Sequence, residues 1–490
     1  MLNPYFYALF NVSGFTILKD NFLKEISILC EEYSSMEKDE RQAKITANIN
    51  QSGTIRMNRR QFMKIGAVAT TSGALMRATG NADPRKNFAT NNAPFSVSLD
   101  VKDNPLRITD KCKRMPQKNT IFARQLWDFD FVQRVESSID RSRREVYLDA
   151  KGWTQLDDAL DEAAWAVDHK FASGSENGQP HSMAYAWDER VRRQKVDFKD
   201  AADASKKIKK AARYLGASLV GITAYDPLWT YSELIKEKFE DESQQEGPPG
   251  YEIFTPEFPF KPKSVVVIAV EMDYRTIALS PSSLEGAATG LGYSHMCEVG
   301  YSVSTFIRAL GYRAFANGND VSLSIPYAVA AGLGELGRHG MLITREFGPR
   351  VRLVKVFTEL ELAPDPPITF GVWDFCKNCK RCAEACPSKA ISDGEPTLEG
   401  NTISNNPGVL KWYIDPEKCI QFWRDNGSDC ANCIAACPYN KIDTWPHRLS
   451  TSVAALPVAP LHSFLSQLDK RIGFGNIDNL KGNTNFWDEE

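Results

Sequence analysis

The chain has 490 residues with 59 basic and 62 acidic side chains, and a net charge of −3 gives no global field that would favour nucleic acid. At 42% hydrophobic and 25% charged its composition is ordinary for a globular protein, which excludes a disordered or collagen-like chain and leaves room for about two to four domains. No run approaches the roughly 18 consecutive apolar residues a spanning helix needs, and the nearest, Ile65 to Ala78, is short and contains Thr, Ser and Gly.

Residues 1–56 are mixed in character. Then Asn58-Arg59-Arg60-Gln61-Phe62-Met63-Lys64 sets a twin-arginine pair before an aromatic and a lysine, with a mildly apolar stretch and small residues near Gly80 to Ala82 behind it. Residues 57–82 resemble a twin-arginine export signal, cleaved near Ala82 and started at Met57, which predicts a periplasmic protein. Residues 83–190 follow as an N-terminal arm and helical region: Asp83 to Gln117 is polar and extended, and Leu156 to Val167 has apolar residues at near-helical spacing.

Residues 191–370 read as the core. Asp200 to Leu215 patterns as a basic amphipathic helix ended by Gly216, with a solvated lysine-rich face, and runs into a β-branched strand from Ser218 to Thr223. Lys263 to Met272 is a continuous apolar strand, whereas Arg350 to Phe357 alternates polar and apolar with period two. Between them Cys297 to Leu310 fits a helix and Tyr327 to Leu333 a second buried one, giving a mixed layered core.

Eight of the eleven cysteines fall between Cys376 and Cys437, within residues 371–442, while Cys30, Cys112 and Cys297 are scattered singly. Cys376-x2-Cys379-x2-Cys382-x3-Cys386-Pro387 has the spacing of bacterial ferredoxins, in which three thiolates hold one cubane and the fourth serves the other. Cys419, Cys430, Cys433 and Cys437-Pro438 repeat the end of that pattern with a stretched first gap. The assignment is therefore two [4Fe-4S] clusters with crossed ligation, one on Cys376, Cys379, Cys382 and Cys437, the other on Cys419, Cys430, Cys433 and Cys386. A pair of zinc sites is the alternative, but four Cys in eleven residues before a Pro are too dense for ordinary ribbon spacing. Residues 443–490 are left as a C-terminal tail packing on the core. An export route that carries folded, cofactor-loaded chains suits a cluster protein.

Taken together, the twin-arginine leader, the core and the paired ferredoxin motifs, the second of them stretched, resemble a respiratory reductive dehalogenase over residues 57–490. Gly290-Leu-Gly-Tyr293-Ser-His-Met296, Gly318-Asn319-Asp320 and Gly348-Pro-Arg350-Val-Arg352 match that family's catalytic stretches. The resemblance implies an α+β fold, with a nitroreductase-like cobalamin-binding core and a C-terminal two-cluster ferredoxin-like domain. It implies cobalamin or a related corrinoid in the base-off state, and none of the six His sits in the Asp-x-His-x-x-Gly loop that supplies a lower ligand elsewhere. It implies halide removal from a small organohalide, such as the chlorinated alkene tetrachloroethene, as the terminal step of organohalide respiration. Tyr293 then serves as proton donor, Arg352 steadies the phenolate and Asn319 orients Tyr293 or the halogen, with Thr289 and Trp423 lining the substrate cavity.

Gly332-Leu-Gly334-Glu-Leu-Gly337 formally matches a dinucleotide fingerprint but lacks the acidic residue about twenty positions on, where Phe357 stands. By the resemblance these three glycines would let the backbone approach the corrinoid. The implied partners are a small integral membrane anchor and a membrane-derived electron donor. The alternatives are an epoxyqueuosine reductase-like corrinoid enzyme, which export and the absence of basic excess disfavour, and a plain ferredoxin, which would contain no cobalt.

Overall fold

A computed structural model of the chain describes residues 97–490, apart from 102–104, 137–151, 173–183, 187–190, 192–193, 239–249, 443–449, 452–453, 456–458, 472–485 and 488–490. The twin-arginine segment, Met57 and the cleavage region lie outside the described residues.

Helix α1 (Gln155–Phe171) starts where Thr154 and Asp157 form a reciprocal capping box. Helix α2 (Ala201–Tyr214) is capped by the Asp200 side chain and leads into strand β1 (Leu219–Ala224). Strand β2 (Ser264–Glu271) follows, then helix α3 (Ser283–Ala309), strand β3 (Ala314–Asn317), helix α4 (Ser324–Ala330) and strand β4 (Val351–Thr358). The four strands form one antiparallel sheet in the order β1-β2-β4-β3.

Both faces of the sheet are covered. Val266, Ile268, Val354 and Val356 pack with residues of α2 and α3, while Val265, Val267, Phe315 and Phe357 pack with residues of α4 on the other side. The period-two pattern of β4 suggests one solvated face, but this strand lies between β2 and β3 and is buried, so its polar members point into the protein. Lys355 is 0% exposed and pairs in register with Val267 and Asn317.

Helix α3 begins fourteen residues before the predicted start at Cys297. Its first half is rich in glycine, which costs about 1 kcal/mol per residue in a free helix, and tertiary packing overrides that cost. A Cβ at Gly290 would stand 2.5 Å from the Trp165 ring, and one at Gly292 3.0 Å from Arg352 and Met272, so these glycines let α1 and β4 close onto α3. Helix α4 ends at Ala330, three residues before the predicted Leu333, because the chain turns at Gly332 with φ +72°.

The cysteine segment opens with α5 (Val372–Cys379) and includes α6 (Pro416–Asn426). Two buried charges tie it to the core: Glu335 accepts from the Phe370 and Val372 amides, and Arg338 donates to the carbonyls of Cys376, Ser392 and Gly394. The tail's described helix, α7 (Ala459–Arg471), packs on the cysteine segment where the sequence suggests the core: the His462 ring lies 5.3 Å from that of Phe375, tilted against it, and Asp469 pairs with Lys441. No helix among the described residues is long and apolar enough to cross a membrane.

Candidate active site and cluster segment

Thr289 and Tyr293 sit one turn apart on α3 and so share a face. Strand β4 brings Arg352 to that face, where its Nη2 donates to Thr289 Oγ1 at 2.9 Å and its guanidinium lies 4.7 Å from the Tyr293 ring centre. From the β3–α4 connection Asn319 Nδ2 donates to Tyr293 Oη at 3.3 Å. Trp165 of α1 stacks on the Tyr293 ring at 5.1 Å. Tyr293 is half-buried and Asn319 exposed.

Behind Arg352 lies an acidic layer. Thr289 Oγ1 donates to Glu285 Oε1 at 3.0 Å, and Glu285 is 1% exposed with Oε2 unpartnered. Burial, reinforced by Asp429, pushes the Glu285 carboxyl well above the usual carboxylate range, against the pull of Thr289 and Arg352. Burial likewise raises Asp429, with Arg352 opposing. A phenol beside a guanidinium and an amide donor can give up its proton and have the resulting anion stabilised.

Tyr293, Arg352, Asn319 and Thr289 are thus brought together. Trp423 belongs to a different group of contacts: it packs near Phe131 and Ile420, its ring lies 6.0 Å from Phe122, and its Nε1 is buried without a partner. The close approach at Gly332, Gly334 and Gly337 is to the chain itself, since a Cβ would meet Pro366 O at 2.4 Å, Ile343 O at 2.1 Å and the Ile343 side chain at 2.7 Å. Sequence reasoning missed Trp165, Glu285, Asp429 and Lys355.

The cysteines fall into the two sets that the crossed pattern predicts. Cys376, Cys379, Cys382 and Cys437 line one cavity, together with His339 and Tyr439. Cys433 faces Cys430, Cys419 and Cys386, and also Cys382 of the first set. Burial pushes the thiols of Cys376 and Cys430 up to about 12 and that of Cys419 to about 11, with further upward shifts at Cys379, Cys382, Cys433 and Cys437. Binding of a metal cluster takes such thiols as thiolates and releases their protons. Two buried polar atoms on the wall of the first cavity have no partner: Tyr439 Oη and His339 Nε2, the latter from a ring whose Nδ1 accepts from the Met341 amide. Burial depresses His339 to about 4, so it is neutral and its Nε2 carries the proton. Unpaired donors around clustered thiols suit an iron–sulfur group, whose sulfurs accept hydrogen bonds. Among the described residues no three His, Cys, Asp or Glu side chains converge tightly enough for a single metal ion, whereas cubane cysteines each reach a different iron.

A mixed core with a half-buried phenol–guanidinium site, joined to a two-set cysteine segment, defines a redox enzyme of the cluster-containing class. Residues 255–362 match the family model of the reductive dehalogenase subunit, and residues 375–441 that of the 4Fe-4S dicluster domain. The chain is 40% identical over 379 residues to the tetrachloroethene reductive dehalogenase of Dehalobacter restrictus, covering 66% of this chain and 68% of that protein. It is 32% identical over 432 residues to the tetrachloroethene reductive dehalogenase of Sulfurospirillum multivorans, covering 80% and 86%. A solved reductive dehalogenase whose structure bears on B12-dependent dehalogenation superposes with a TM-score of 0.56 at 22% identity; the match takes in 81% of this chain but only about half of that one, 50%. The chain belongs to the reductive dehalogenase family and is an oxidoreductase.

Proposed function

We propose that the protein removes halide from a small organohalide, with a chlorinated alkene such as tetrachloroethene the favoured substrate, as the terminal reductase of organohalide respiration. The reaction consumes two electrons and one proton, converting R–X into R–H and X⁻. The observation that carries this reading is the position of Tyr293, its Oη bonded to Asn319 and Arg352 over its ring. Tyr293 supplies the proton; Asn319 Nδ2 and Arg352 stabilise the phenolate left behind.

The electrons enter through the cysteine sets. Cys376, Cys379, Cys382 and Cys437 would hold one [4Fe-4S] cluster, and Cys386, Cys419, Cys430 and Cys433 the other. The second set is the nearer to the site: Ser280 Oγ, just before α3, lies 3.9 Å from Cys430 Sγ and accepts from the Ala431 amide. Electrons would thus pass from the first cluster through the second towards the site.

When bound, a base-off corrinoid supplies the low-valent metal chemistry that breaks the carbon–halogen bond. Buried polar atoms without partners at Ser282 Oγ, Glu285 Oε2 and Asn432 Oδ1 fit its amide-bearing rim. These come from the start of α3 and from the residue before Cys433, where Ser280 Oγ accepts from the Ala431 amide and joins the two segments.

Export by the twin-arginine route to the periplasm, with a small integral membrane protein as anchor and a membrane-derived electron donor, completes the proposal. Replacing Arg59 and Arg60 by lysine should leave the protein in the cytoplasm; periplasmic recovery of that variant would contradict export by this route. The test of function is anaerobic reconstitution with iron, sulfide and corrinoid, followed by halide release from chlorinated alkenes and aromatics with a reduced low-potential dye. Release from an alkene is expected, and a fully loaded protein inert towards the whole panel would overturn the reading.

A further inference from the structure

We propose that Lys355 and Ser324 are positioning residues that fix the direction of the Asn319–Tyr293 hydrogen bond, leaving the phenol's own proton free for the substrate. This rests on the reading of Tyr293 as the proton donor.

Lys355 is wholly buried in the central strand, far from water that could satisfy its ammonium group. Its Nζ donates to Gly318 O, to Ser322 O at 3.2 Å and to Ser324 Oγ at 2.6 Å. Three N–H bonds therefore meet three oxygens, and an ammonium has no lone pair with which to accept. Burial draws Lys355 down to about 7 while Asp320 draws it up. The surroundings of Nζ favour the charged form, because a neutral amine would turn its lone pair onto oxygen.

The consequence passes outward one bond at a time. Ser324 Oγ must accept from Lys355, so its own proton is available, and it goes to Asn319 Oδ1 at 2.9 Å. With Oδ1 occupied, the amide can present only Nδ2 to Tyr293, at 3.3 Å. Nδ2 donates and cannot accept. Tyr293 Oη therefore receives a hydrogen bond from Asn319 and spends no proton on it. The opposite amide orientation would set a carbonyl against the phenol, capture its proton and withdraw the donor that steadies the phenolate. The same three Lys355 bonds pin Gly318, Ser322 and Ser324 on both sides of Asn319, so the residue is held in place as well as in direction.

The test uses the reconstituted holoenzyme with Ser324→Ala and Ser324→Thr, and leaves Lys355 intact because its loss threatens folding. Two quantities are read: kcat against KM, and the Tyr293 C–O stretch in isotope-edited infrared spectra after subtraction of Tyr293→Phe, which distinguishes a phenol that donates from one that only accepts. Ser324→Ala should lower kcat by about tenfold to a hundredfold, the weight of one oriented hydrogen bond in a reaction site, with KM within about twofold. Its C–O band should move to the donor position, and Ser324→Thr should restore both. An unchanged band in Ser324→Ala, or failure of threonine to restore it, would overturn the proposal. The band decides this even if Tyr293→Phe retains turnover, an outcome that would remove the proton-donor reading instead.

Discussion

The Tyr293 network and the cysteine segment are built on opposite principles. Tyr293, Arg352 and Asn319 hang on a 27-residue helix, a central strand and a loop pinned by Lys355, and their bonds are made by the protein alone. The cysteine segment relies on short helices and turns, including Lys380 at φ 55°, and buries its thiols, which burial pushes upward. Its cavity also leaves His339 Nε2 and Tyr439 Oη unpaired. One region is preorganised for chemistry; the other is complementary to a group it must hold.

The largest effect should come from breaking the second region. Cys437→Ala should cost about half the iron and all halide release, and adding Cys379→Ala should remove no more iron, because both residues serve one cluster. Adding Cys433→Ala to Cys437→Ala should remove the rest. If Cys437→Ala with Cys379→Ala emptied both sites while Cys437→Ala with Cys433→Ala emptied one, the crossed assignment would be wrong.

A smaller effect separates the regions by pH. The unfolded chain protonates His339 near 6.5 and the folded chain only near 4, so the unfolded state binds the extra proton between those values. The stability carried by neutral His339 is complete above about 6.5 and is lost as pH falls towards 4, by up to about 3 kcal/mol for a wholly buried ring. Thermal melts of His339→Leu should show a shallower decline over that window than the parent chain. Parallel curves would show that His339 contributes nothing to acid sensitivity.

The same contrast explains what could be read from the sequence. Eight cysteines lie within one short segment, and their spacing reports the chemistry directly, because cluster ligation is fixed by local geometry. Thr289 lies one helical turn from Tyr293, but Asn319 and Arg352 come from other elements, so only resemblance to known catalytic stretches placed those two beside Tyr293. The start of α3 was hidden because its glycines look unhelical until Trp165 and Arg352 are packed against them. Lys355 lies on the opposite face of its strand from Arg350 and Arg352, and which faces of a sheet are covered depends on elements that the strand's own pattern does not encode. At Gly332, Gly334 and Gly337 the need for close approach was legible, and the chain's own atoms at Pro366 and Ile343 are among what approaches.

The central claim is that Tyr293 delivers the proton at a site fed by the clusters. It is tested most directly by Tyr293→Phe in anaerobically loaded protein, with iron, cobalt and halide measured on the same sample. Unchanged iron and cobalt with halide release lowered by about 10²-fold to 10⁴-fold, the usual weight of a general acid, is the expected result. Halide release at the parent rate would contradict it.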